Sequence, residues 1–208
     1  MPESTQLPAD LLKKFSAEKP LVCLMRHGRI LDSGVKRFIG QTDLPLNAMG
    51  RNQAKAWQKI FAQIQFEKIY VSGLLRTRQT AELCCPGQPV TADPRLNEID
   101  LGDWENLSFD QVKARFPDDF EQRGRNIYHF RTPGGESFKD LKERVVSFFD
   151  SLFSTAIPES GPTLVVAHSG VIRVMACLWA GKSFEELLKL SPRYGQSFVF
   201  TLGDIKNL

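Results

Sequence analysis

Two of the three histidines in the sequence follow apolar runs, and a glycine comes directly or shortly after each. His27 follows the run Leu21–Met25, and His168 follows the run Thr163–Ala167. If both runs are strands of one parallel sheet, their carboxyl ends form one edge, where α/β proteins bind ligands. Glycine there lets the backbone approach a ligand closely, and N–H groups at the start of a following helix favour an anion. The pattern therefore predicts an anion site that contains two imidazoles.

The neighbouring arginines decide between phosphate and metal. Two imidazoles could bind zinc or iron. Arg26 adjoins His27, however, and Arg76 stands just after a second apolar run, Lys68–Ser72. Fixed positive charges disfavour a divalent cation, whereas the guanidinium fork matches phosphate oxygens. We therefore expect a phosphate site with no metal and no cofactor.

A neutral imidazole beside phosphate indicates nucleophilic catalysis through a phosphohistidine. Arginines and a second histidine can stabilise the transferring group without magnesium. The leaving alkoxide then needs a proton, which Glu98 could supply, because it follows a short apparent strand at Val90–Thr91. Spacing alone leaves open whether Glu98 is this acid or an ordinary surface carboxylate.

Strands alternate with helices along the chain, which predicts a three-layer α/β/α domain with a mostly parallel central sheet. The fifth apolar run, after the four already named, is Phe198–Leu202, which we expect to be an edge strand. Apolar residues at helical spacing predict the helices Ala48–Ile64, Leu74–Leu83, Ser108–Arg115, Ser137–Phe153 and Val171–Trp179.

Composition is that of a globular protein, with 42% hydrophobic and 25% charged residues among 208. We expect an extension at residues 1–19 and one domain at 20–208. The net charge of +3 is too small to predict a nucleic-acid partner. No apolar run is long enough for a signal peptide or a membrane span, so we expect a soluble, cytoplasmic protein with no membrane partner. The oligomeric state is left open.

Four cysteines occur without a C-x-x-C pair, at positions 23, 84, 85 and 177. Their spacing favours reduced thiols in a cytosolic protein. Redox activity of the adjacent Cys84 and Cys85 is the alternative, although no neighbouring feature supports it.

Several motifs, taken together and in order, resemble the histidine phosphatase superfamily, which has the phosphoglycerate-mutase-like fold. The resemblance covers about residues 20–202. Its segments are Leu-Met-Arg-His-Gly at 24–28, Gly-Gln-Thr-Asp-Leu-Pro-Leu at 40–46, Ser-Gly-Leu-Leu-Arg-Thr-Arg-Gln-Thr-Ala at 72–81, Leu-Asn-Glu-Ile-Asp-Leu-Gly-Asp-Trp-Glu at 96–105, Pro-Gly-Gly-Glu-Ser at 133–137 and Val-Ala-His-Ser-Gly at 166–170.

The resemblance assigns roles to these residues. It implies that His27 is the phosphorylated nucleophile and that Glu98 gives and later takes the proton. Arg26, Arg76 and His168 would surround the phosphoryl group. The remaining contacts that it implies are backbone N–H groups of Ser169 and Gly170, and substrate contacts of Gln41 and Thr42. A small cap of helices and loops is expected at about residues 103–135.

The stretch from Arg29 to Gly34 departs from the family pattern. Ser33 stands where family members usually carry an asparagine that helps to hold the phosphate, and Arg29 stands where an acid is common. Ser33 still offers one hydrogen bond to the phosphate, and Arg29 favours a more anionic substrate.

The function expected from the resemblance is hydrolysis of a small-molecule phosphomonoester, with α-ribazole-5′-phosphate of cobalamin synthesis as one substrate. The first alternative is a phosphoglycerate mutase, but the stretch 102–133 is short and lacks the Arg-Arg-x-Tyr pattern of such enzymes. The second is a catalytically silent binding domain, which the intact set of five catalytic residues disfavours. Aromatic residues of the cap could form a substrate wall or the core of the cap: Trp104, Phe109, Tyr128, His129 and Phe130.

Overall fold

A five-stranded sheet lies at the centre of the residues that a computed structural model describes, which are 21–31, 34–155 and 161–201. The extension predicted at residues 1–19 lies outside these ranges. The strands are β1 (Leu21–Arg26), β2 (Lys68–Val71), β3 (Thr91–Ala92), β4 (Thr163–Ala167) and β5 (Ser197–Thr201). Their order is β3-β2-β4-β1-β5, and only the β1–β5 pair is antiparallel. The mostly parallel sheet and the edge position of the last strand are therefore confirmed.

The register of β1 against β4 positions the two histidines. Arg26 pairs with Ala167 at the carboxyl ends of these parallel strands. His27 and His168, one residue further along, therefore leave the sheet side by side. Both strands are buried along almost their whole length, as expected for the centre of a covered parallel sheet.

Helices cover both faces of this sheet, which confirms the three-layer architecture. They are α1 (Ala48–Phe61), α2 (Leu75–Cys84), α3 (Phe109–Arg115), α4 (Pro117–Arg125), α5 (Phe138–Thr155) and α6 (Ser169–Ala180). Alternate residues of β1 divide between two cores, because successive strand side chains point to opposite faces. Leu24 packs in the core that includes residues of α5 and α6, and Met25 packs in the core that includes residues of α1 and α2.

Two helices differ from the prediction. The helix predicted to reach Ile64 ends at Phe61. A turn follows it, and both Ile64 and Phe66 are buried in the same core as Phe61, so the chain bends back early to bury all three. Helix α4 was missed because none of its residues is buried, which removes the apolar periodicity that predicts helices.

The segment predicted as a cap contains α3 and α4 around one aromatic centre. Trp104 is completely buried and lies against Phe38, Phe116, Phe120 and Phe130. Ser108 is the N-cap residue of helix α3. Its side chain accepts a hydrogen bond from the backbone N–H of Gln111, and the Gln111 side chain accepts one from the backbone N–H of Ser108, which forms a capping box. This aromatic centre is continuous with the core on the face of the sheet that α5 and α6 cover.

All four cysteines are buried, and none of them forms a disulfide in the structure. Within the described ranges, no helix has the length and apolar character needed to cross a membrane.

Candidate active site

A cavity of about 1070 Å³ opens at the carboxyl edge of the sheet. It brings together most of the residues that the sequence singled out. Those that line it are Arg26, His27, Arg76, Glu98, Ser169 and Gly170. Residues as distant in sequence as Arg26 and Gly170 thus share one site because the parallel strands end at one edge.

His27 is held with one ring nitrogen free. Its backbone N–H donates to the carbonyl of Ala167, which fixes the end of β1 against β4. Its Nδ1 lies 2.7 Å from the carbonyl oxygen of Gly28. A carbonyl oxygen only accepts, so Nδ1 carries the proton and Nε2 keeps its lone pair. The neutral imidazole can therefore act as a nucleophile through Nε2.

The surroundings of His27 keep it neutral. Burial, followed by the positive charges of Arg76 and Arg26, lowers the pKa of His27 well below its ordinary value. Desolvation and like charge both disfavour the imidazolium. A neutral ring is the form that can attack phosphorus.

His168 lies behind the cavity surface and holds Arg76. It is completely buried, 5.1 Å from His27 between ring centroids. The Nε–H of Arg76 donates to its Nδ1 at 3.2 Å, so its proton is on Nε2, which donates to Ser72 Oγ at 2.7 Å. The Ser72 hydroxyl is also 2.9 Å from Thr77 Oγ1. Burial, then Arg76 and His27, lowers the pKa of His168 well below its ordinary value, which agrees with this neutral form.

Arg76 is almost inaccessible to solvent, with 1% of its surface exposed. One terminal nitrogen donates to the carbonyl of Thr42 and the other to that of Gly40. A guanidinium has five N–H groups. With its Nε–H on His168, these contacts leave two N–H groups of Arg76 for a ligand.

Arg26 is stacked rather than paired with an acid. Its guanidinium carbon lies 3.8 Å from the ring centroid of Tyr194, and its Nη1 donates to the carbonyl of Pro192. Its Nε is buried and makes no hydrogen bond to any described residue. Unpaired buried donors are costly, so this N–H is available to an anion. Tyr194 also lies 5.6 Å from His27 between centroids.

Glu98 is fixed by backbone N–H groups. Its carboxylate accepts from the N–H of Gly170 at 3.0 and 3.1 Å and from that of Ile99 at 3.0 Å. The residue is 8% exposed and lines the cavity, so it is not the ordinary surface carboxylate that spacing had left open. The Gly170 N–H, expected to contact phosphate, instead holds Glu98, because the first turn of α6 faces this carboxylate.

The backbone around Glu98 is anchored by Arg144 on α5. Its guanidinium donates to the carbonyls of Arg95, Asn97 and Glu98 at 2.8, 2.7 and 3.0 Å. It also pairs with Glu136 at 2.9 Å. The sequence did not predict a role for Arg144. Its guanidinium binds three backbone carbonyl groups about 46 to 49 residues away in sequence, and no sequence motif indicates such contacts.

The placement of Gln41 and Thr42 differs from the expectation. Neither residue is among those that line the cavity. The backbone N–H groups of both donate to the carboxylate of Glu105, and so does the Thr42 hydroxyl, at 2.6 Å. Glu105 was quoted within a family motif but given no role. It shapes the loop whose Gly40 and Thr42 carbonyls hold Arg76.

The predictions for Ser169, Ser33 and the aromatic residues of the cap have different outcomes. Ser169, the first residue of α6, lines the cavity. Ser33 lies outside the described residues. Of the aromatic residues in the cap, Phe109 and Phe130 line the cavity, Trp104 is buried, and His129 is exposed. The aromatic set is therefore divided between a substrate wall and the core of the cap.

Among the described residues, no group of three or more His, Cys, Asp or Glu side chains is arranged to hold a metal ion. The site offers guanidinium groups, neutral imidazoles and the carboxylate of Glu98. Such a set binds an oxyanion and supplies a nucleophile and a proton carrier.

The model of the histidine phosphatase superfamily (branch 1) matches residues 22–205. The chain belongs to this superfamily. The match covers all of the cavity wall described above and all of the sheet except Leu21, the first residue of β1.

Similar proteins include both mutases and phosphatases. A 2,3-bisphosphoglycerate-dependent phosphoglycerate mutase of Mesorhizobium japonicum is 31% identical over 186 residues, which are 86% of this chain and 90% of the relative. A mycobacterial glucosyl-3-phosphoglycerate phosphatase, solved as a complex with VO3, is 28% identical with a TM-score of 0.75, covering 86% of this chain and 91% of the other. A candidate alpha-ribazole-5′-P phosphatase of Escherichia coli is 25% identical with a TM-score of 0.79, covering 86% and 88%.

Proposed function

We propose that this chain is a phosphomonoesterase that hydrolyses a small-molecule phosphate through a phosphohistidine on His27. The tie between His27 Nδ1 and the Gly28 carbonyl carries this proposal, because it leaves the Nε2 lone pair free in a cavity lined by Arg26 and Arg76. The intact catalytic set disfavours a silent binding domain.

In the first step, Nε2 of His27 attacks the phosphorus atom of the ester. The N–P bond forms as the bond between phosphorus and the ester oxygen breaks. Glu98, in its protonated form, donates its proton to the leaving oxygen, and the alcohol departs. General acid catalysis of this kind contributes typically 10²–10⁴-fold to a rate.

In the second step, a water molecule attacks the phosphohistidine. Glu98, now a carboxylate, takes a proton from that water as the new O–P bond forms. The N–P bond breaks, and its electron pair returns to Nε2 of the neutral His27. Inorganic phosphate leaves, and the protonated Glu98 is ready for the next cycle.

The arginines supply the positive charge that both steps need. The free Nε–H of Arg26 and the two remaining N–H groups of Arg76 act on the phosphoryl oxygens. His168 acts through Arg76, since it accepts the hydrogen bond that orients this guanidinium. Preorganised charges of this kind lower the barrier because they need no rearrangement during the reaction.

α-Ribazole-5′-phosphate is one candidate substrate, since a candidate phosphatase for this compound has a similar fold. Phosphotransfer of the phosphoglycerate mutase type is the second candidate function, because a mutase is 31% identical to this chain. A mutase must shield phosphohistidine from water. The cavity here has Leu31, Val35 and Leu188 at exposed positions in its lining, which indicates an open mouth and favours hydrolysis.

The test is hydrolysis of p-nitrophenyl phosphate in the presence of EDTA. We expect phosphate release by the wild-type chain, with an acid-labile phosphoryl label on the protein during turnover. His27→Ala should lose both the label and the activity, whereas His129→Ala, at an exposed position outside the cavity lining, should keep both. Activity that survives in His27→Ala would contradict the assignment of the nucleophile. A screen over α-ribazole phosphate, sugar phosphates, nucleotides and 3-phosphoglycerate with its bisphosphate then identifies the substrate and detects mutase products.

A further inference from the structure

Arg26 is held in the cavity wall without an acid. Its Nη1 donates to the carbonyl of Pro192 at 2.7 Å, and its guanidinium carbon lies 3.8 Å from the ring centroid of Tyr194. Within the described ranges, no carboxylate forms an ion pair with it. An aromatic ring and a backbone carbonyl therefore fix this flexible side chain at the phosphoryl site.

The face of a ring suits Arg26 better than a carboxylate would. A carboxylate accepts N–H groups in the plane of the guanidinium, often two at once, and cancels its charge. An aromatic ring instead attracts the cation through the flat face, where no N–H group points. Stacking on Tyr194 therefore leaves Arg26 its charge and its remaining N–H groups, among them the buried Nε–H that has no partner among the described residues.

Two contacts together define the direction of this Nε–H. The ring of Tyr194 fixes the plane of the guanidinium, and the carbonyl of Pro192 fixes its rotation within that plane. A free arginine side chain has many rotamers, and it loses this freedom when it binds an anion. A donor that already has the right orientation needs no rearrangement during the reaction.

Tyr194 is itself fixed by the residue that follows it. The N–H of Gly195 donates to the carbonyls of Arg26 and His27 at 3.2 and 3.1 Å, and its own carbonyl accepts from the indole N–H of Trp57 at 2.8 Å. Gly195 has a φ of 71°, a conformation that glycine adopts without strain. The ring of Tyr194 is half-buried and lines the cavity, 5.6 Å from that of His27 between centroids. The same backbone thus holds the end of β1 and places the ring against Arg26.

We propose that Tyr194 is a positioning residue for the phosphoryl site, whose ring holds the guanidinium of Arg26 so that the Nε–H points to the bound phosphate. The aromatic face carries this role, and the hydroxyl does not. The inference rests on the proposed function in one respect, since that function supplies the phosphoryl group that Arg26 would meet.

Binding of inorganic phosphate tests this without turnover. The wild-type chain, Tyr194→Leu and Tyr194→Phe are titrated with phosphate by calorimetry. We expect Tyr194→Leu to raise the Kd about three- to tenfold, as loss of a partly buried cation–π contact should. Tyr194→Phe keeps the ring and should stay within about twofold of the wild type. Tyr128→Leu is the matched control and should leave the Kd unchanged, because Tyr128 is half-buried but stacks on Phe184 outside the cavity lining.

A double-mutant cycle shows whether Tyr194 acts through Arg26. In the background of Arg26→Gln there is no guanidinium to hold, so addition of Tyr194→Leu should change the Kd by less than about twofold. A tyrosine that only supported the cavity wall would have the same effect in both backgrounds. Tyr194→Met, whose flexible side chain fills irregular gaps, repeats the cycle if the leucine variant does not fold.

Three results would overturn the inference. One is a Kd in Tyr194→Leu equal to that of the wild type, another is an equal loss in Tyr194→Phe, and the third is a loss that persists undiminished with Arg26→Gln. Absence of p-nitrophenyl phosphate hydrolysis, with the phosphate affinities as expected, would contradict the proposed function alone. With hydrolysis present, Tyr194→Leu should lower kcat/KM for this ester about tenfold, and Tyr194→Phe should restore most of it.

Discussion

Both histidines of the site are kept neutral by the same two effects. Each is buried, and each lies close to Arg76. Because both rings are buried in the uncharged form, protonation of either histidine lowers the stability of the folded protein. In the unfolded chain, both side chains would take up protons near their ordinary pKa of 6.5.

The stability of the protein should therefore fall as the pH drops below about 6.5. The folded-state pKa of each histidine is lowered, so the unfolded chain binds more protons below the ordinary value. The contribution of each is present above pH 6.5 and is lost as pH falls towards the folded-state pKa, at up to about 1.4 kcal/mol per pH unit for each histidine. Urea unfolding in phosphate-free buffer measures this slope.

Variants separate the histidines from other acid effects. His27→Gln should reduce the pH slope of the free energy of unfolding between pH 6.5 and 5. His129→Gln, at an exposed position, should leave it as in the wild type. An identical slope in His27→Gln would mean that this imidazole does not link protonation to folding.

Gly170 permits the position of Glu98. A Cβ at this residue would lie 2.2 Å from Glu98 Oε1, closer than real contacts allow. Gly170→Ala should therefore displace the carboxylate and lower kcat for alkyl phosphates about 10²-fold, with a smaller loss for p-nitrophenyl phosphate, whose leaving group needs less protonation. Steady-state kinetics on both ester classes measures the difference.

Gly124→Ala is the matched control for that variant. It lies in α4, and a Cβ there would meet nothing within 4 Å. Its kinetics should equal those of the wild type. Equal losses on the two ester classes in Gly170→Ala would argue against Glu98 as the acid.

At the scale of elements, loop 40–42 links Glu105 of the cap to Arg76, one of the proposed catalytic residues. Glu105 receives hydrogen bonds from four groups of this loop: the N–H groups of Gly40, Gln41 and Thr42 and the Thr42 hydroxyl. The loop in turn holds Arg76 through two carbonyl groups. Glu105 is thus a positioning residue that acts on the phosphoryl site through backbone.

Glu105→Gln should weaken this link. An amide side chain has one acceptor oxygen, and its NH₂ group would face the N–H donors of loop 40–42, with which it cannot form hydrogen bonds. We expect a loss of about 2–4 kcal/mol in the free energy of unfolding, together with a fall in kcat and faster hydrogen exchange at the amides of residues 40–42. Glu121→Gln, on the exposed face of α4, provides the comparison. Unchanged exchange in Glu105→Gln would refute the positioning role.

The sequence predicted those elements whose apolar residues follow a simple period. The ends of strand β4 were predicted correctly at Thr163 and Ala167. The prediction that His27 and His168 lie together at the carboxyl ends of two parallel strands is also confirmed. Helix α4 was missed because its only signals are polar: Pro117 at the first turn, acids beside it and arginines at the end. The roles of Glu105 and Arg144 depend on carbonyl and N–H groups brought together by folding, which residue types do not encode.

At the scale of the whole molecule, positive charge is concentrated rather than spread. The chain carries a net charge of only +3, yet seven basic and two acidic side chains line the described part of the cavity wall. A cleft of one sign within low-dielectric walls attracts oppositely charged ligands. This attraction acts on a ligand before any contact forms, because it comes from the summed charge of the cavity wall and not from any single arginine.

Substrate capture should accordingly depend on salt. Between about 0.01 M and 0.15 M ionic strength, the Debye length falls from about 30 Å to about 8 Å. We expect kcat/KM for an anionic ester to drop by roughly three- to tenfold over this range, mostly through KM. Stopped assays of phosphate release at constant pH measure it, and an unchanged kcat/KM would exclude long-range attraction by the cavity.

The four buried thiols give the folded chain a practical property. All four cysteines are buried: Cys23, Cys84, Cys85 and Cys177. A thiol reagent should therefore react only when the core opens, so the rate of labelling measures the rate of global unfolding. The native protein also behaves as if it had no cysteine. A single cysteine introduced at exposed Met49 would therefore take one fluorophore at one known place, next to Arg29 in the wall of the candidate active site.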